Sequence, residues 1–258
     1  MDIQLTHGDR VAVVTINRPH DENRLTRDAL DRLHEITQTL CSDQETLAVI
    51  ITGAGDQFFS AGMLHPKVRA TLSKGEILDM VRAANAAYDQ IETLPQIVIA
   101  ALNGITRAGA AEMTLACDIR LAADHATFAI PEAKWGGVPG AGAPVRLPGI
   151  LGAARALELI CTGRELTAPE MERYGLVQRV VPRQELMSVA HALAGGIATC
   201  GPLAIRGAKR IVRLSQRAGF TAARELSDAL RSALESTSDM AEGQAAILEG
   251  RTPRFTGR

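Results

Sequence analysis

Residues 11–16, Val-Ala-Val-Val-Thr-Ile, form an apolar, β-branched run closed by Asn17-Arg18-Pro19, which predicts a strand. Leu30, Leu33, Ile36 and Leu40 then recur at helical spacing behind Thr26, a capping residue, so a helix is expected to about Cys41. Residues 47–52 read as the next strand and run into a Gly53-Ala54-Gly55 turn. Residues 63–74 have no clear period and are expected as a mobile loop. A helix over 76–93 stops before Pro95, and 97–102 is short and apolar enough for a buried strand. Residues 118–123 and 127–130 continue the strand pattern. From Gly149 onward the pattern is mostly helical. Thr167-Ala168-Pro169-Glu170 has the form of a capping box, and Gly175 can close its helix. A short strand at 177–181 is followed by helices at about 185–198, 202–218, 221–235 and 239–248.

Strand, turn and helix therefore alternate before a helical C-terminal portion, which defines an α/β fold class. The expected division is a core over 1–195 that carries the functional site and a helical subdomain over 196–258 for packing or assembly. A chain of 258 residues can bury one large core. A net charge of −1 gives no electrostatic argument for nucleic acid or an anionic membrane, and 3% aromatic residues leave little for base stacking. No apolar run reaches 18 residues and no secretory signal precedes the first strand, so a cytoplasmic protein is the expectation. Cys41, Cys117, Cys161 and Cys200 form no C-x-x-C pair and are expected as buried, reduced thiols, with no metal site.

The chemistry concentrates in residues 103–140. Glu112 lies between the small residues Ala108-Gly109-Ala110-Ala111 and the apolar Met113 and Leu115, a poor place for a solvated charge. A helix is expected to start near Ala108, with no Ser, Thr, Asp or Asn to cap it. Its free N–H groups and positive dipole end suit a ligand oxygen. Residues 58–63, Phe-Phe-Ser-Ala-Gly-Met, offer a second set of accessible backbone donors after the 47–52 strand. Two such donors can hold an enolate-type oxyanion. Glu132 follows Pro131 and precedes Gly136, Gly137, Gly140 and Gly142. Taken singly, each feature has a plain alternative: tight backbone packing for the glycine segments, a helix-dipole charge for Glu112 and a surface ion pair for Glu132.

At these residues the chain resembles the crotonase family, the enoyl-CoA hydratase/isomerase superfamily. Phe59-Ser60-Ala61-Gly62-Met63-Leu64 is similar to the family's F-x-A-G-x-D. Residues 103–118 are similar to N-G-x-A-x-G-G-G-x-E-L-x-x-x-C-D, and 128–143 to F-x-x-P-E-x-x-x-G-x-x-P-G-x-G-G. Residues 11–19 and 242–255 extend the likeness to almost the whole chain.

The resemblance implies a crotonase-like spiral of ββα units with a C-terminal helical subdomain, assembled as a homotrimer or a dimer of trimers. It implies an acyl-CoA thioester substrate and no separate cofactor. The Met63 and Gly109 N–H groups would form the oxyanion hole, Glu112 would activate water, and Glu132 would deliver a proton to the α-carbon. Arg24, Ala61, Gly62 and Leu64 would line the coenzyme A path, and Gly140 would lie near the reacting water.

Retention of both glutamates favours a trans-2-enoyl-CoA hydratase. Isomerisation, hydrolysis of a carboxylated or cyclic acyl-CoA, and a silent CoA-binding protein are the alternatives. The sequence also departs from the pattern. Leu64 replaces a frequent Asp and is followed by His65-Pro66. Ala108, Ala110 and Ala143 replace glycines, and Ile247 replaces an aromatic residue. Arg107 stands where an apolar residue is common and is expected to meet a carboxylate of the protein or of the substrate. His65 is expected to face solvent, and Trp135 to pack in the core, with lining of the acyl pocket as the alternative.

Overall fold

The computed structural model describes residues 1–258. Six strands, β1 (Ile3–Gly8), β2 (Val11–Ile16), β3 (Ala48–Gly53), β5 (Ile97–Leu102), β7 (Ile119–Ala123) and β10 (Arg179–Val181), form one sheet in the order β1-β2-β3-β5-β7-β10. Only the β1–β2 pair is antiparallel. A second sheet, β4-β6-β8-β9, is built from β4 (Phe58–Ser60), β6 (Ile105–Arg107), β8 (Thr127–Ala129) and β9 (Glu165–Thr167). The chain visits the two sheets alternately: β3 then β4, β5 then β6, β7 then β8. Helices α1 (Arg27–Ser42), α2 (Pro66–Arg69), α3 (Lys74–Thr93) and α4 (Gly109–Ala116) join the turns of this spiral. It is the expected ββα spiral.

Strands β3 and β5 read as continuous apolar runs because the sheet is covered on both faces, and all six residues of β3 are buried. Helices α1 and α3 pack on each other, and α8 (Leu186–Ala198) packs along β2, β3, β5 and β7. The apolar stripe of α1, Ala29, Leu30, Leu33, Ile36 and Leu40, is buried as its spacing predicts, and Thr26 Oγ1 accepts from Ala29 N at 3.2 Å. Between the sheets the backbones nearly touch. A Cβ on Gly104 would lie 2.3 Å from Gln57 O, and one on Gly53 2.5 Å from Phe59 O. Asn103 fastens the same turn: its Oδ1 accepts from Gly53 N and its Nδ2 donates to Gly55 O, both at 3.0 Å.

Beyond α5 (Ala143–Leu151), α6 (Ala153–Thr162) and α7 (Ala168–Tyr174) the chain is helical. The Thr167–Glu170 capping box forms, and Gly175 closes α7 at φ 78°. The helix expected at 185–198 begins with a 3-10 turn, Arg183–Glu185, before α8. The helices expected at 202–218 and 221–235 are both present within α9 (Pro202–Glu235), which kinks between them at Gly219, where φ is 83° and the backbone is not helical. Its Lys209 Nζ and Arg213 Nη2 donate to the Asp118 carboxylate at 2.7 and 2.8 Å, which pins α9 to the start of β7. The last helix is α10 (Ser238–Glu249). No single helix is long and apolar enough to cross a membrane.

Three expectations change. Residues 63–74 contain α2, started by Pro66 at its first position and capped by His65 Nδ1, which accepts from Lys67 N at 3.3 Å. Of the four cysteines, all free, only Cys117 is buried; Cys41, Cys161 and Cys200 are exposed on or beside the outer faces of helices. Trp135 is 40% exposed rather than part of the core, because the Glu132–Trp135 turn carries it to the rim of a cavity.

Candidate active site

Strands β4, β6 and β8 are mutually parallel, so their C-terminal ends emerge together. β4 is followed by 61–63, β6 by Ala108 and α4, and β8 by Pro131 and Glu132. In open parallel sheets this is where ligands bind. A cavity of about 120 Å³ lies there, lined by Met63, Leu64, Ala108, Gly109, Glu112, Glu132 and Gly140, with Arg69, Val81, Trp135 and Val138 at its sides.

The two backbone donors converge. A Cβ on Gly62, at φ +85°, would lie 3.2 Å from Gly109 N, and a Cβ on Gly109 would lie 3.1 Å from the Met63 side chain. Neither Met63 N–H nor Gly109 N–H donates to a turn, loop, cap or side-chain acceptor. Gly109 opens α4, so it has no partner a turn earlier in the helix. Two unspent donors at the positive end of a helix form a site for a developing oxyanion.

The helix starts where it is expected, directly after Ala108. Ala108 precedes α4 with φ 52° and ψ −132°, a conformation that L side chains rarely adopt. Its N–H donates to Ala129 O at 3.0 Å and its carbonyl accepts from Glu112 N at 3.0 Å, so both β8 and α4 hold it there. Strain of this kind is worth about 1–3 kcal/mol, partly offset by the lower chain entropy of Ala than Gly. Ala108→Gly is therefore expected to stabilise the protein by about 1 kcal/mol. A higher denaturation midpoint at unchanged slope would register it, and an unchanged or lower midpoint would contradict it.

Glu112 is buried in the first turn of α4 at 1% exposure. Its Oε1 accepts from Ala141 N and Ala143 N, each at 2.9 Å. Its other oxygen is left for the cavity. Burial raises its carboxyl to about 7 despite those donors and the Arg146 charge, which pull it down. Arg146 positions the 141–143 turn: its Nη1 donates to Ala141 O at 3.2 Å, its Nε donates to Glu92 Oε2 at 2.8 Å, and it also pairs with Asp89. Nothing local in the sequence marks Arg146 for that task.

Glu132 is half-buried in its 3-10 turn, and its Oε2 has no hydrogen-bond partner. Burial, and then the charge of Glu112, push its carboxyl up to about 7. Two carboxyl groups in one cavity, both titrating near neutrality, can share a single proton and act as an acid–base pair.

The remaining expected residues fall around this centre. Leu64 and Gly140 line the cavity, and Asn85 Nδ2 donates to Gly140 O at 3.0 Å. Gly62 lies beneath the donors, with its carbonyl accepting from Leu25 N at 3.0 Å. Ala61 N donates to Glu22 O at 2.9 Å, which ties the 58–63 segment to the turn that bears Arg24. Arg24 is paired with Asp21 at 3.3 Å and with Glu22. Arg107 points away from the cavity: its Nε donates to Glu165 Oε2 on β9 at 3.1 Å, so of its two expected partners it takes the protein carboxylate. His65 is half-buried rather than free in solvent, edge-on to Trp135 at 6.0 Å between centroids. No group of three or more His, Cys, Asp and Glu side chains converges as metal ligands would.

The sequence pattern of the family described as enoyl-CoA hydratase/isomerase matches residues 6–258. A short-chain-enoyl-CoA hydratase of Clostridium acetobutylicum is 34% identical over 256 residues, covering 97% of this chain and 95% of its own. A carnitinyl-CoA dehydratase of Escherichia coli is 36% identical, covering 99% and 98%. The crystal structure of an enoyl-CoA hydratase from Bacillus anthracis superposes with a TM-score of 0.97 over 100% of both chains at 35% identity.

Proposed function

We propose, since the chain belongs to the enoyl-CoA hydratase/isomerase family, that it hydrates a trans-2-enoyl-CoA to the 3-hydroxyacyl-CoA. The observation that carries the reading is the pair Glu112 and Glu132, both near neutral titration and both facing one cavity beside two unspent backbone donors.

The thioester carbonyl oxygen accepts from Met63 N–H and Gly109 N–H. That draws electron density from the double bond toward oxygen and leaves C3 electrophilic. Ionised Glu112, fixed through one oxygen by Ala141 and Ala143, takes a proton from water with the other. The water oxygen bonds to C3 while the C2–C3 π pair moves into an enolate held by the two donors. Protonated Glu132 gives its proton to C2, and transfer of the water-derived proton between the carboxyl groups restores the pair. One water is consumed and no oxidant or reductant is needed.

The glutamates argue in different ways against isomerisation and against a silent protein. Isomerisation needs one carboxyl to move a proton and gives Glu112 little to do. A silent CoA-binding protein has no use for two raised carboxyls in one cavity, which cost stability. The test is loss of the conjugated enoyl-thioester absorbance of crotonyl-CoA across pH. Turnover requires one ionised and one protonated carboxyl, so kcat/KM is expected to peak near neutral pH. It falls at low pH as the base is protonated and at high pH as the acid ionises. CoA binding without absorbance loss at any pH would overturn the reading for this substrate.

A further inference from the structure

We propose that Arg69 is a specificity-determining residue that binds a carboxylate at the far end of the acyl group, so that the preferred substrate is a carboxylated enoyl-CoA. This rests on the acyl-CoA reading of the site and deepens it. The surrounding residues assign Arg69 that role by elimination. It is the only cationic side chain that lines the cavity of the two glutamates. It has no hydrogen bond and no ion pair within the protein, whereas Arg24, Arg107 and Arg146, the other arginines near the site, are all paired with carboxylates.

Arg69 also does not serve the catalytic pair. Glu132 Oε2 lacks any partner, and the neighbouring charge that acts on Glu132 is that of Glu112. An exposed guanidinium at the end of α2 is instead presented to whatever enters past Leu64 and Trp135. The rest of that wall, Val81, Trp135 and Val138, is uncharged and has no other group to balance a negative acyl terminus. The position of α2 is set: Pro66 begins it, His65 caps it, and the His65 ring packs edge-on to Trp135. Glu112 and Glu132, when ionised, repel a second carboxylate. Of the charged side chains that line the cavity, only Arg69 attracts one. A guanidinium binds a carboxylate through two parallel N–H donors, a geometry that neither a neutral nor a cationic terminus can use.

A matched pair of substrates tests this: trans-2-hexenedioyl-CoA, with a terminal carboxylate, and trans-2-hexenoyl-CoA, of equal length and neutral. The wild-type protein is expected to favour the first in kcat/KM by about 10–100-fold, and Arg69→Gln to remove that preference, mainly through KM, while hexenoyl-CoA turnover stays within about threefold. Equal turnover of both by the wild type, or a parallel loss of both in Arg69→Gln, would overturn the proposal. Binding of the saturated analogues separates this outcome from failure of the hydratase reading. Hexanedioyl-CoA should bind more tightly than hexanoyl-CoA by calorimetry, and equally in Arg69→Gln, whether or not the protein hydrates anything. Equal affinity in the wild type would sink the carboxylate site alone.

Discussion

Glu112→Gln is expected to lower the rate of crotonyl-CoA hydration by about 100- to 10,000-fold while leaving the fold intact. The amide oxygen of Gln can accept the same two bonds from Ala141 N and Ala143 N that Glu112 Oε1 accepts, so the 141–143 turn keeps its anchor. What is lost is the free carboxylate oxygen that takes the proton from water. A stability signature goes with the loss. The carboxyl of Glu112 rises from an ordinary 4.5 to about 7 because burial disfavours its charge. Its folded-state value lies above its unfolded one, so the folded protein holds the proton more tightly. That contribution is fully present below about pH 4.5, shrinks through pH 4.5–7, and is gone above 7, where the ionised group costs on the order of 3 kcal/mol. Gln carries no such cost. At pH 8 the variant should therefore be inactive and melt higher than the wild type. An inactive variant that melts lower at pH 8 would mean that the side chain holds the turn in some other way. Glu132→Gln is expected to abolish hydration to a similar degree through loss of the acid.

Gly62→Ala is expected to reduce kcat by about 100- to 1,000-fold, on the scale of losing one oxyanion donor. Gly62 adopts φ +85°, and a Cβ there would lie 2.7 Å from Arg107 O and 3.0 Å from the Ala108 Cβ. Those are the atoms leading into Gly109, so the added methyl forces apart the two segments whose N–H groups must meet at one oxygen. The neighbouring atoms are backbone and a short side chain, and neither can step aside cheaply. Thermal stability should fall as well, so the comparison is made on folded protein well below its midpoint. Full activity in a folded Gly62→Ala protein would show that the Met63 and Gly109 donors do not act together.

The parts of the molecule that were legible in the sequence share one property: their signal is local. Strands β2, β3 and β5 announce themselves as β-branched runs, α1 by its apolar stripe, and α7 by a capping box and a closing glycine. The Glu112 and Gly109 arrangement could be read because its small residues, its apolar neighbours and its missing cap fall within one stretch. Strands β4, β6 and β9 span three residues each and run into turn-like sequence, whereas β8 and β10, equally short, are legible because Ile130 extends the one and Val177 precedes the other. β1 was missed because four of its six residues, including the terminal His7 and Gly8, are exposed or alternate weakly. Arg146 and Arg69 take their roles from residues far along the chain: Arg146 from Asp89 and Glu92 on α3, Arg69 from a cavity wall assembled by 81, 132–140 and 108–112. Arg107 is decided the same way. Its place in the second motif leaves a carboxylate of the protein and one of the substrate equally open, and the choice of Glu165 on β9 is made by strand pairing far along the chain.

The central claim is that the two glutamates add water across an enoyl thioester, and the most direct measurement is of where the oxygen goes. Crotonyl-CoA is incubated with the protein in oxygen-18 water and the product mass is read. The account predicts 3-hydroxybutyryl-CoA bearing one labelled oxygen, formed by the wild type and not by the Glu112→Gln/Glu132→Gln double variant. A product of unchanged mass with a shifted double bond, or labelled free acid and CoA from thioester cleavage, would contradict it.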